Sequence, residues 1–462
     1  MHKSYLHSVV WIVLATILAL LLLAWLPQMG TEEWQWRQVD LLADVRPGDG
    51  ADGTATAPAT LKRDVTVERV DSCRPGMVCI NDMSDPADDH GMEPLYRALD
   101  SLSTLGRPAR IAVLGDSYIE GDILTMHLRA LLQERYGGNG VGFVPMTSNV
   151  AGFRTSVRHT FGGWNEHNAN DRGGYSNTWA NLTGHYFTAT QDAFIDLRAT
   201  TALPRLSTCD ESSLYFAGTG TGEVTAVVND SITQHFTLNG TGRVGRVTAT
   251  CAGGITHVRW TVKRGGGLTF LGASMDPRQG VVVDNFALRS SSGLHLKNIT
   301  DAMLTGLDRE RRYDLVVLMY GLNVAGKNSK NFTAYSDAIE LAVNNLKRTL
   351  PATGVLIVSS SDREGKAGGG FKTYPGVLNL IAVQQQMAFD THTAFWNLYE
   401  AMGGEGSIVA MVQNHQANLD YTHINFRGGE RIAGIMAEAL LWGHECHRMT
   451  LQRINDLNAQ QP

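Results

Sequence analysis

Three continuous apolar runs constrain this chain more than any other feature: Ala109 to Leu114 (ARIAVL), Tyr313 to Tyr320 (YDLVVLMY) and Gly354 to Ser359 (GVLIVS). Continuous rather than alternating, each reads as a strand buried on both faces, which needs a covering layer above and below. Helical patterns neighbour them. Leu95 to Leu105 (LYRALDSLSTL) has leucines at helical spacing and is ended by Arg107-Pro108, Asp122 to Tyr136 (DILTMHLRALLQERY) is amphipathic, and Tyr335 to Leu350 precedes the third run. Strands alternating with helices predict an α/β domain with a mostly parallel sheet covered on both faces.

Between the first and second runs the texture changes. From about Trp164 to Phe286 the chain is rich in Thr, Val and Gly, with short alternating stretches such as Glu223 to Val228 (EVTAVV) and Thr256 to Lys263 (THVRWTVK), and with turn pairs such as Asn239-Gly240. A long decorated loop system is one reading. Repeated hairpin signals over so long a stretch favour an inserted β-sandwich.

The first thirty residues carry a different signal. Val9 to Leu26 (VVWIVLATILALLLLAWL) is apolar but for Thr16, long enough for a transmembrane helix, with Lys3 before it and Glu32 and Glu33 after it. This predicts a single-pass anchor in the cytoplasmic membrane with the remainder extracytoplasmic (periplasmic); a cleaved signal peptide is the alternative. Residues 43 to 64 (ADVRPGDGADGTATAPATLK and flanks) have too little apolar content to pack and read as a stalk. The expected organisation is thus 1–30 cytoplasmic tip and anchor, 31–90 stalk, 91–150 first α/β part, 151–288 inserted β-sandwich and 289–462 second α/β part. Of five cysteines, Cys73 and Cys79 could close a short loop, Cys209 and Cys251 share one strand-rich region, and Cys446 is left over; free thiols are the alternative. A net charge of −6 without a run of Lys and Arg argues against a nucleic-acid partner.

A hydroxyl attacks an ester only if one group accepts its proton and others stabilise the oxyanion. Ser117, in Gly115-Asp116-Ser117, lies where the first strand turns into a helix, and open α/β folds place their sites at such strand ends. An ordinary βα turn is the alternative reading. Asp420 stands three residues before His423 in a loop entering a helix from about Glu430 to Leu441, close enough to reach the imidazole Nδ1 and leave Nε2 facing a serine. Against this stands a surface loop with an idle histidine, one of the chain's 15.

With these residues in place the chain resembles the SGNH (GDSL-type) hydrolases. Leu114-Gly115-Asp116-Ser117 is similar to their first block, Tyr320-Gly321-Leu322-Asn323 to the third and Asp420-x-x-His423 to the last, and Ser291-Ser292-Gly293 is the best match to the second. Val324 stands where the third block usually has Asp. The long gap after the first block, and the stretches Gly115 to Pro145 and Phe395 to Gly404, look like the subgroup of peptidoglycan O-acetyl esterases with an inserted carbohydrate-binding-like β-domain. The resemblance covers about residues 108 to 442. It implies a flavodoxin-like three-layer SGNH fold, a triad of Ser117, Asp420 and His423, and an oxyanion hole of the Ser117 amide, the Gly293 amide and the Asn323 side chain.

The expected function is removal of O-acetyl (acyl) groups from a cell-envelope polysaccharide through an acyl-serine, with no cofactor and no metal. Two alternatives accompany it: a membrane-anchored O-acetyltransferase supplied by a membrane-bound acyltransferase, and a non-catalytic glycan-binding protein. Three further features stay open. Asp116, Glu120 and Asp122 could hold a metal, although they share one short turn with no histidine cluster; Trp164, Tyr175 and Trp179 are either a sugar-stacking platform or core; and His415 could line the site.

Overall fold

In the computed structural model the run ARIAVLG forms a strand, Ala109–Gly115, in which all 7 residues are buried. The structure describes Trp11 and residues 73–85, 89–171, 173–367 and 369–460. The chain divides into the units Met1–Asp64 and Val65–Pro462, and the elements below lie in the second. In chain order the strands are β1 (Asn81–Asp82), β2 (Ala109–Gly115), β3 (Gly142–Val144), β4 (Val157–Asn168), β5 (His185–Ala199), β6 (Cys209–Ala217), β7 (Thr221–Val228), β8 (Ile232–Asn239), β9 (Gly245–Ile255), β10 (His257–Arg264), β11 (Thr269–Asp276), β12 (Val281–Ala287), β13 (Leu315–Met319), β14 (Gly354–Val358), β15 (Glu364–Ala367), β16 (Gly370–Thr373) and β17 (Ala394–Trp396).

The central sheet has the order β1-β17-β14-β13-β2-β12, with β1 antiparallel at one edge and the other strands parallel. Its parallel strands therefore run 2-1-3-4-5 in order of appearance, the flavodoxin-like winding. Alternate residues feed two cores: Ile111, Val113 and Val317 pack with Leu95, Leu128 and Met436, while Ala112, Leu114 and Val316 pack with Met303, Ile339 and Leu380. That is the three-layer arrangement the apolar runs require. Helix boundaries move for local reasons. The helix after β2 spans Thr125–Tyr136 rather than starting at Asp122, because Gly121 and Asp122 take φ of 68° and 66°. The helix after the Asp420 loop runs much further than expected, over Phe426–Ala459.

The insert differs from expectation. It is one antiparallel sheet, ordered β8-β7-β10-β5-β11-β6-β9 with β4 on β5 and β3 on β11, rather than two facing sheets. Its end strands meet where Gln234 Nε2 of β8 donates to Thr250 O of β9 at 2.7 Å, so the sheet forms a nearly closed barrel. Register shifts near Gly162, Val262, Phe270 and Cys209 supply the extra twist that curls one sheet upon itself. Trp260, Phe270 and Leu214 fill its interior. Cys209 and Cys251 are thiols, whereas Cys73 and Cys79 form a disulfide.

Two buried charge clusters join the barrel to the α/β layers. Arg311, with no exposed side-chain surface, holds Asp276 of β11 at 2.5 Å and Asp284 of β12 at 2.5 Å and donates to Tyr215 Oη at 2.8 Å. Asp122 holds Arg129 at 2.8 Å and Arg154 at 3.2 Å and accepts from Ser156 Oγ at 2.6 Å. Burial alone would raise both Asp122 and Asp276, but the surrounding guanidinium groups outweigh it and hold both carboxyls below the usual range. The unfolded chain then binds protons more readily, so this stabilisation is full above about pH 4 and is lost as pH falls below it. Urea midpoints measured from pH 7 downward should fall steeply below about pH 4, and Asp122→Asn should make that limb shallower; an unaltered slope in the variant would contradict the assignment.

One expectation is corrected. Among the described residues no helix is long and apolar enough to cross a membrane, and Val9 to Leu26 lies, apart from Trp11, outside the described residues. The structure therefore gives no support to a single-pass membrane protein, and neither the anchor nor the location inferred from it is carried further.

Candidate active site

Ser117 comes two residues after β2, and Asn323 four residues after β13. These adjacent strands mark the point where the winding reverses, and their carboxyl ends leave a crevice there. The Asp420–His423 loop reaches the Ser117 turn there, through the contact of His423 with Ser117. Asn425 caps the following helix by accepting from the Arg427 and Gly428 amides, and a Cβ on Gly429 would lie 2.1 Å from Ile123 O, so only glycine lets the helix start come this close to the segment behind Ser117.

The result is a continuous relay. Ser117 Oγ lies 2.9 Å from His423 Nε2, and His423 Nδ1 lies 2.7 Å from Asp420 Oδ2. The second Asp420 oxygen accepts from the Thr422 and His423 amides, each at 3.0 Å. Partial burial raises the Asp420 carboxyl, yet the bonds from the His423 amide and ring and from the Thr422 amide prevail and hold it below the usual carboxylate range. An ionised Asp420 orients the ring so that Nε2 can accept a proton from Ser117.

The expected oxyanion donors have partners of their own. Asn323 Nδ2 donates to Asp116 Oδ2 at 3.0 Å and to Ser291 O at 3.0 Å, which accounts for both hydrogens of that amide. The Gly293 amide donates to Ser291 Oγ at 3.1 Å. With φ of 81°, and with the Tyr320 ring 2.9 Å from where a Cβ would stand, position 293 suits only glycine. Asp116, which the sequence offers only as a possible metal-holding carboxylate, sits inside the Gly-Asp-Ser turn and holds the Asn323 amide instead. It also accepts from the Tyr118 amide at 2.9 Å, and burial pushes its carboxyl up to about 6. Ser291, the link between Asn323 and Gly293, enters the sequence reading only as the first residue of the Ser291-Ser292-Gly293 match.

The remaining candidates resolve by their contacts. Asp122 is occupied by two arginines, Glu120 pairs with Arg289 and Asp116 serves Asn323, so the three carboxylates point to different partners. Trp164 packs edge-on against Phe270 and donates to Phe194 O at 2.7 Å, and Tyr175 and Trp179 pack against the core under the sheet. These are core contacts. His415 accepts at its carbonyl from Asn425 Nδ2 at 3.0 Å and so supports the helix cap.

No protein-family model matches the sequence, and no curated protein matches it. Solved structures do. A peptidoglycan O-acetylesterase, 22% identical, matches over 79% of this chain and 99% of its own with a TM-score of 0.65. A family two carbohydrate esterase from Cellvibrio japonicus (8% identity, 62% of this chain, 99% of its own, TM-score 0.26) and a salicylyl-acyltransferase from a tetracycline biosynthetic pathway (10% identity, 62%, 97%, TM-score 0.28) also match. Winding and strand-end crevice define an open, doubly wound α/β scaffold. The likeness to the first of these structures is one of fold, here with a barrel inserted between the helix Thr125–Tyr136 and strand β12.

Proposed function

We propose that this protein is a serine carboxylic ester hydrolase that removes O-acetyl groups from a cell-envelope glycan such as peptidoglycan. The observation that carries the reading is the relay from Ser117 Oγ through His423 to Asp420, at 2.9 and 2.7 Å. His423 Nε2 takes the hydroxyl proton as Ser117 Oγ bonds to the acetyl carbonyl carbon. The resulting imidazolium returns that proton to the departing glycan oxygen, leaving acetyl-Ser117. Water, deprotonated by His423, then releases acetate and restores the serine. The Ser117 amide and Asn323 Nδ2 face the developing oxyanion, the latter by exchanging one of its two protein bonds for the substrate oxygen, while Gly293 holds Ser291 in place.

The glycan is proposed because the fold is shared with a peptidoglycan O-acetylesterase. Transfer by a membrane-anchored enzyme rested on the anchor and loses its support with it, and an assembled relay speaks against a purely glycan-binding role. Full-length protein is expected to release acetate from O-acetylated peptidoglycan and from an aryl acetate, and to be labelled by a fluorophosphonate at Ser117. Folded protein that does neither overturns the reading. Asp420→Asn should lower kcat on the aryl acetate by roughly 10³- to 10⁴-fold, because the ring loses the partner that sets its tautomer. A loss confined to KM would contradict that role.

A further inference from the structure

Beside the Ser117 turn lies a cleft of about 290 Å³ that the ester chemistry does not use. One wall is the end of β12 and the turn after it. Ala287 pairs with Gly115, the Leu288 amide donates to Gly115 O at 2.9 Å, and Arg289 and Ser290 follow. The floor is Glu120, three residues beyond Ser117 and therefore no more than about 11 Å from it along the chain. The opposite wall comes from the barrel, with Glu166 and Asn168 of β4 and His185 of β5. A larger hollow of about 820 Å³ lies along the last helix near Arg135 and Trp442; neither hollow is lined by Ser117, Asp420 or His423, but the smaller one includes Ala287 and Leu288, which bond the strand end that carries Ser117.

The polar groups of the cleft are fixed before any ligand arrives. Glu166 is held by His185 Nδ1 at 3.0 Å and Thr147 Oγ1 at 2.7 Å, Arg289 Nε donates to Glu120 at 2.8 Å, and Asn170 Nδ2 braces the Arg289 carbonyl at 2.7 Å. Each carboxylate thus has a hydrogen-bond donor, and the Arg289 guanidinium has a carboxylate, an arrangement that suits an uncharged ligand rich in hydroxyls rather than an anion. At the rim Phe153 is 50% exposed, over Gly121 on one side and 4.9 Å from the Phe426 ring on the other. A large apolar ring left in water beside fixed polar groups is the pairing that recognises a pyranose, whose C–H face stacks while its hydroxyls bond.

We infer that this cleft is a glycan-strand subsite, in which Glu166, His185 and Arg289 bond the hydroxyls of a sugar adjacent to the acetylated one and Phe153 stacks on the strand. It gives the barrel a function, since Glu166, Asn168 and His185 line the cleft together with Glu120 and Arg289. The inference deepens the esterase reading and rests on it for the identity of the strand, but binding can be measured apart from catalysis. Full-length Ser117→Ala protein is titrated with a tetramer of β-1,4-linked N-acetylglucosamine, and Phe153→Ala and Glu166→Ala are each added to that background. Each is expected to weaken binding at least tenfold with an unshifted thermal midpoint. A tetramer that the parent does not bind, or that both variants bind as tightly as the parent, overturns the inference. In the Ser117 background, kcat/KM for acetylated peptidoglycan should fall at least tenfold further than kcat/KM for the aryl acetate, through KM; equal losses on both would also overturn it. Retained tetramer binding without any acetate release would instead refute the esterase reading alone.

Discussion

Full-length Ser117→Ala is expected to lose roughly 10⁶-fold in kcat for aryl acetate hydrolysis and to be inert to a fluorophosphonate. The residues of a triad act as a unit, so removing the nucleophile costs about as much as removing all of it. What remains is the contribution of oxyanion stabilisation and substrate binding. Folding should be untouched, because the side chain's bond is to His423 Nε2 and the turn is held by backbone bonds and by Asp116. Initial rates and a thermal melt on the same preparation check both halves. A variant that retains even a tenth of the activity would remove Ser117 from the mechanism.

Arg311→Met should destabilise the fold by about 3–5 kcal/mol, read as a lower urea midpoint with an unchanged slope. The guanidinium is wholly buried between Asp276 and Asp284, and its loss leaves Asp284 without its ion-pair partner and Asp276 with Arg110 alone. Arg110 stays near Asp276 at 3.4 Å, and Tyr313 Oη and the Phe143 amide stay on Asp284 at 2.7 and 2.8 Å, so the carboxylates keep hydrogen bonds but not their charge balance. The cost of the double variant Asp276→Asn/Arg311→Met should be smaller than the sum of the two single costs, since neutralising one carboxylate relieves part of what the arginine's loss creates. Strict additivity would show that the pair does not act as one cluster. Asp276 belongs to the barrel and Asp284 to the central sheet, so the same variant also tests whether the insert is tied to the catalytic layers through this arginine.

The relay of Ser117, His423 and Asp420 is legible because each of its parts is local. A serine beyond a buried strand, and an aspartate three residues before a histidine at a helix entry, depend on short spacings that survive whatever the rest of the chain does. The Asn323 amide could not be read as completely. Its partners Asp116 and Ser291 come from the turns after β2 and β12, and β12, the VVVDNFA run directly after the barrel, was not recognised as a strand of the central sheet. The Gly293 amide, which the resemblance puts at the oxyanion, donates to the Ser291 hydroxyl.

The sequence by itself determined the parallel sheet, the break in it and the three residues of the relay, since apolar periodicity and short motifs record which faces are buried and which groups stand within a few residues of one another. Only the tertiary structure decided that the insert curls into one barrel, that Arg311 joins it to the sheet, and that Glu166 and His185 line one cleft with Glu120 and Arg289. Those outcomes depend on twist accumulated over many strands and on polar partners tens to more than a hundred residues apart, and no periodicity in the chain encodes either.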